Sequence, residues 1–143
     1  MRNWYHYQIV VDPADVDSFL NGEPTPFNLA RDYKTYDIPD CQVLGVKIAA
    51  ELEKGGPRET LRRLLGNPEK GACFLDVRIG SGGGKSNGIR CFVLVIPPYQ
   101  KGVLLGLLSH SKGRKDTTLS EDALAMVRHL LKLIEDETKE KEK

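Results

Sequence analysis

"CFLDVRIGSGGGKSNGIRCFVLVI", residues 73–96, holds the reading on which the fold turns. Two runs rich in β-branched and aromatic residues, 73–79 and 89–96, flank a glycine-rich loop carrying one lysine. Such runs predict strands. Whether the loop is a nucleotide cradle depends on its spacing and its flanks. A P-loop needs a glycine, four residues, then Gly-Lys-Ser/Thr, so that successive backbone N–H groups point at the phosphates. Here Ile79 stands where the first glycine belongs, and Gly80 leaves one residue too few before Gly84-Lys85-Ser86. A P-loop also feeds a helix whose N-terminus faces the anion, whereas this loop feeds a strand. The stretch therefore reads as a long turn between two antiparallel strands with Lys85 at its tip, and no nucleotide cofactor is expected.

What the two strands present follows from their register. If Ile79 pairs with Ile89, Arg78 lies opposite Arg90 on one face of the sheet. Facing arginines repel unless an anion lies between them. Two accounts stand open: a bland one, in which Asp76 or acids from residues 12–40 compensate the pair or the register differs, and a cationic surface for phosphates formed with Lys85. A third run, "GVLLGLLSHS" (102–111), follows Pro97-Pro98-Tyr99-Gln100-Lys101 and completes a predicted antiparallel meander. Its consecutive apolar positions suit a strand covered on both faces. It leads into "SHSKGRKD" (109–116), where His110 and Lys112 share a face and Arg114 and Lys115 follow. A histidine can move protons near neutral pH, and lysine or arginine can stabilise a phosphorane-like transition state.

Further out, "WYHYQIVV" (4–11) predicts a first strand. Residues 12–40, with Pro13, Pro24, Pro26, Pro39 and many acids, predict an irregular acidic insertion with short helical pieces around Ala14–Leu20 or Leu29–Tyr33. Asp40 is placed to cap a helix to about Lys54, with Leu44, Ile48 and Leu52 recurring and Gly55-Gly56 as the stop. A second helix is expected directly after it, from Pro57 to Gly66, with Leu61, Leu64 and Leu65 on one face and Arg58, Arg62 and Arg63 on the other. The two would form a helical hairpin. Ser120 is placed to cap a final helix with a stripe of Leu124, Val127, Leu131 and Ile134, and residues 135–143 read as a charged, fraying tail.

The 143 residues predict one domain, 1–143, of class α+β: a small antiparallel sheet packed with the helical hairpin and the C-terminal helix. The net charge of +1 conceals an uneven distribution. Residues 1–53 carry 4 basic and 9 acidic groups, 54–119 carry 12 and 4, and 120–143 carry 5 and 7. The basic middle suits a polyanion such as RNA. No apolar run approaches the roughly 20 residues of a membrane span, and no basic-then-apolar leader opens the chain, so a cytoplasmic protein without membrane contact is expected. Cys41, Cys73 and Cys91 form no C-x-x-C pair and read as small hydrophobes rather than metal ligands or disulfide partners. His6 and His129 read as structural.

The ordered set "IPD…ELEKG…LG…FLDVRIGSGGGKSNGIRCFVLV…SHSKGRKDTTLSEDAL" resembles the RelE-like toxins of bacterial toxin–antitoxin systems, in the branch whose hairpin reads G-x-G-K-S-G-G-x-R. The resemblance covers residues 38–134 and rests on Arg78, Gly82 to Ser86, Gly88, Arg90, Lys112 and Leu119-Ser120. It implies a RelE-like α+β fold, a cognate antitoxin as partner, and ribosome-dependent cleavage of mRNA, in which the RNA's own 2′-hydroxyl attacks the adjacent phosphate. No metal or other cofactor is implied. By the same resemblance Arg78 and Arg90 would hold and neutralise the phosphate, Lys112 would assist proton transfer or charge stabilisation, and His110 would serve as an acid or base. Lys85, Arg114 and Lys115 would contact RNA. Where the family often has lysines before its strand arginine, this chain has Asp76 and Val77; Asn87 replaces a hairpin glycine, and no tyrosine follows Lys112. The same fold also hosts ParE-like inhibitors of DNA gyrase, which is one alternative; the departures favour another, a degenerate member that binds RNA or a protein without cleaving.

Overall fold

The computed structural model describes residues 7–54, 61–79, 88–110 and 119–142. Five strands form one mixed sheet: β1 (Gln8–Val10), β2 (Leu61–Asn67), β3 (Ala72–Ile79), β4 (Gly88–Ile96) and β5 (Lys101–His110), in the order β1-β5-β4-β3-β2. Four helices accompany them: α1 (Pro13–Leu20), α2 (Leu29–Thr35), α3 (Cys41–Glu53) and α4 (Glu121–Glu142). The fold is thus α+β. The meander of β3, β4 and β5 is antiparallel, as its three apolar runs predict. The sheet as a whole is not, because β1 enters parallel to β5 and pairs only at residues 101–103.

The larger correction concerns residues 61–67. The predicted second helix of a hairpin is instead β2, antiparallel to β3, and residues 57–60 of that prediction lie outside the described part. Leu61, Leu64 and Leu65 have helical spacing, but in the strand Leu61 and Leu65 fall on opposite faces, since Leu61 pairs with Val77 and Leu65 with Phe74 across a bulge. Arg63 pairs with Leu75 and Leu65 with Phe74, so Leu64 is an extra residue and alternation is interrupted once. Pairing along the edge of β3 outweighed the weak helical preference of a seven-residue segment. Gly66, expected to end a helix, has φ 80° and would bring a Cβ to 2.7 Å from the Ala72 carbonyl oxygen, so glycine is needed for the turn into β3.

Residues 12–40 are less irregular than expected. Both short helices form, each with a side-chain cap: Asp12 accepts from the Ala14 N–H at 2.9 Å and Asn28 from the Arg31 N–H at 3.1 Å. Asp40 caps α3 by accepting from the Gln42 N–H at 2.9 Å, and Ser120 caps α4 by accepting from the Ala123 N–H at 3.1 Å. The predicted fraying tail is also corrected, since α4 continues to Glu142 and buries Thr138.

Both faces of the central strands are covered, which is why β4 and β5 read as unbroken apolar runs. On one face α3 lies over β1, with Gly45 close to Val11 and Ile9. On the other, Phe27 stacks on Phe92 with centroids 5.1 Å apart, and Phe74 lies 6.0 Å from Phe92. There is room for the Phe27 ring because its neighbour on β5 is Gly106, where a Cβ would stand 2.5 Å from Phe27 Cδ1. Cys73 and Cys91 are buried and all three cysteines are free thiols.

Candidate functional site

The site grows out of the end of the β3–β4 pairing. Ile79 pairs with Ile89, so Arg78 and Arg90 face each other. On the same face, two residues back along β3, is Asp76, and two residues along β4 is Phe92. Asp76 and Arg90 are 1% and 4% exposed. Arg90 donates from Nε to Asp76 Oδ2 at 2.9 Å, and its Nη2 lies 2.8 Å from the same oxygen in an ion pair. Its guanidinium also lies 5.2 Å from the centroid of the Phe92 ring. Asp76 Oδ1 is buried and accepts no hydrogen bond among the described residues.

This arrangement separates two arginines that the sequence reading treated alike. Arg90 is withdrawn from solvent and its charge is compensated by Asp76, which was one of the two accounts left open. Arg78 is half-buried, at the rim. A buried carboxylate and guanidinium hold one another because each, alone in a low-dielectric surrounding, would carry a large desolvation cost. Asp76 therefore fixes the Arg90 side chain.

His110 ends β5 opposite Gly88. Lys85, Lys112, Arg114 and Lys115 lie outside the described residues; of the rest of the sequence-predicted set, Arg78 and Arg90 face each other, and His110 stands two residues beyond Leu108, the β5 partner of Arg90. His129 projects from α4, exposed, with Nε2 3.7 Å from Glu23 Oε2. Phe27 was not singled out from the sequence. Its signal was an aromatic residue between Pro26 and the helix-capping Asn28.

The ionisable groups buried nearby are tuned away from reactivity. Burial pushes the Cys91 thiol up, and the negative charge of Asp76 adds to the effect, so Cys91 stays protonated and is a poor nucleophile. Burial likewise raises the Tyr33 phenol, whose hydroxyl donates to the Val11 carbonyl at 2.5 Å. Cys41 is raised by burial and by Asp12. Among the described residues, no three His, Cys, Asp or Glu side chains are gathered in a way that would hold a metal ion. None of the described helices is long and apolar enough to cross a membrane. No protein-family model, curated protein or solved structure matches the chain.

Proposed function

We propose that this chain is a toxin of the RelE-like kind that acts on RNA, cleaving mRNA on the ribosome, and that a cognate antitoxin neutralises it. The observation that carries this reading is the facing pair Arg78 and Arg90 at the hairpin end of the sheet, within the basic middle of the chain. In the proposed chemistry the RNA 2′-hydroxyl attacks the neighbouring phosphorus, and the 5′-oxygen of the next nucleotide leaves. The protein's task is to position the phosphate and offset its developing negative charge. Arg78, at the rim, takes the phosphate. Arg90, held by Asp76, acts from behind as a positioning residue for the strand end that carries Arg78. Lys112 and His110 remain the proposed groups for proton transfer, and Lys85, Arg114 and Lys115 the proposed RNA contacts.

A second reading is favoured by one observation. Asp76 takes up the charge of Arg90 in a buried pair, which lowers the positive charge available to a transition state. On that reading the chain binds RNA and does not cut it. The two readings separate in a cell-free translation reaction given purified protein or its Arg78→Ala variant, with mRNA 5′ ends mapped by primer extension. Cuts at codons in the ribosomal A site that require both ribosomes and Arg78 are expected for the nuclease. Inhibited translation with intact mRNA would favour binding alone, and unaffected translation would sink both.

A further inference from the structure

Arg62 became visible as a candidate only when β2 proved to be a strand. In a helix of the predicted hairpin it would have been one of three outward-facing arginines. In the sheet it is paired with Asp76, and paired residues project to the same side. Its orientation is fixed by its neighbour, because Leu61 pairs with Val77 and both are buried on the opposite face. Arg62 therefore shares a face with Asp76, Arg78 and Arg90, whereas Arg63, paired with Leu75, belongs to the other face. The bulge lies beyond Arg63 and leaves this assignment intact.

Asp76 shares that face with Arg62, Arg78 and Arg90, and its Oδ2 is taken by Arg90. Arg62 is exposed and makes no ion pair with any described carboxylate. Arg62 and Arg78 are diagonal neighbours across adjacent strands, which places their backbones about 7–8 Å apart. Two long guanidinium side chains at that separation, on one face, can reach successive phosphates of a single extended strand. We propose that Arg62 forms a second phosphate subsite beside Arg78, so that the nucleic-acid surface runs from the β3–β4 hairpin across to the edge strand β2, and that its ligand is the backbone of single-stranded RNA. This rests on the RNA-directed reading given above. The competing role for Arg62 is the general one of a charge on an edge strand that discourages pairing with another sheet. Arg63 fills that general role equally well, which makes it the control.

The test measures binding of a fluorescein-labelled oligouridylate, roughly twelve nucleotides long, by anisotropy between about 50 and 200 mM salt. The full-length protein is compared with Arg62→Ala, Arg63→Ala and Arg78→Ala. Each phosphate contact on a single strand contributes about 0.7 to the slope of log K against log salt. Arg62→Ala is expected to lower that slope by about 0.7, so that its disadvantage against the parent shrinks about 2.6-fold across the range. Arg63→Ala is expected to leave the slope unchanged. Equal losses from Arg62→Ala and Arg63→Ala would overturn the proposal in favour of a general field. An unchanged Arg62→Ala with a weakened Arg78→Ala would overturn the subsite and leave the RNA reading standing. A parent protein that does not bind the oligonucleotide would overturn both. Urea unfolding of each variant verifies that the fold is intact, as expected for the exposed Arg62 and Arg63 and the half-buried Arg78.

Discussion

Asp76 engages Arg90 through one oxygen, Oδ2, so removal of the carboxylate strands a guanidinium that is 4% exposed. Breaking one side of a buried pair costs about 3–5 kcal/mol, whereas replacing both partners with apolar residues of similar volume is often neutral. Asp76→Ala should therefore destabilise the fold by about that amount, and the double variant Asp76→Leu/Arg90→Met should recover most of it. Urea unfolding of the three proteins checks this, and a single variant as stable as the parent would show that the pair carries no structural weight. Gly106 offers a second test at the same scale. A methyl group there would overlap the Phe27 ring, with contacts of 2.5 to 2.7 Å, so Gly106→Ala should cost about 1–3 kcal/mol by overpacking. In a Phe27→Ala background the same change should cost much less, since its obstruction is gone; equal costs in the two backgrounds would show that the residues are uncoupled.

Elements were legible where one local signal dominated. β3 and β4 announced themselves by β-branched runs, and α3 and α4 by caps and spaced leucines. The register of Arg78 against Arg90 followed from a plausible hairpin alone. β2 is hidden in the sequence because the leucines of "LRRLLGN" fit a helical face, whereas in the strand they divide between both faces, and only the open edge of β3 decides between the two. The parallel placing of β1 was hidden for a similar reason, being a pairing between residues far apart in the chain. So was the task of α2. Beyond Val103, β1 no longer pairs with β5, and Asp32 of α2 takes over by accepting the Leu107 N–H at 3.0 Å. Burial raises the Asp32 carboxyl above its ordinary value of 3.8, against the lowering effects of that hydrogen bond and of Arg31. A raised acid favours the folded state when protonated, so this contribution is fully present below the ordinary value and is lost as pH rises through the raised one. Asp32→Asn, which keeps an oxygen for Leu107, should be at least as stable as the parent at neutral pH, with its advantage vanishing in acid. Asp32→Ala should lose about 1–3 kcal/mol at neutral pH by leaving the N–H without its partner. Urea unfolding of both at neutral and acid pH checks the pair, and an Asp32→Asn variant as damaged as Asp32→Ala would show that the charge itself is needed.

Across the whole molecule, the segments that composition marked as accessory turn out to close the sheet. The acidic residues 12–40 cover one face through Phe27 and the β5 edge through Asp32. The charged C-terminal stretch is the last part of α4, which packs against β2 and β3. Thr138 is 5% exposed, donates to the Glu135 carbonyl at 2.9 Å, and lies against Gly71, at whose backbone of φ 124° a Cβ would come 3.1 Å from Thr138 Oγ1. The turn between β2 and β3 is therefore held from above by the final turns of α4. A fraying tail would be dispensable; a packed one is not. Ending the chain after Ile134 should expose Gly71 and shorten the helix that covers the turn, a loss of about 1–2 kcal/mol on the scale of one half-buried contact region. For a domain of this size that lowers Tm by roughly 2–8 °C. Ending it after Lys139 retains Thr138 and should leave Tm within about 1 °C of the parent. Thermal melts of the two truncations decide it: equal Tm values for both and for the full chain would return residues 135–139 to the status of a solvated tail.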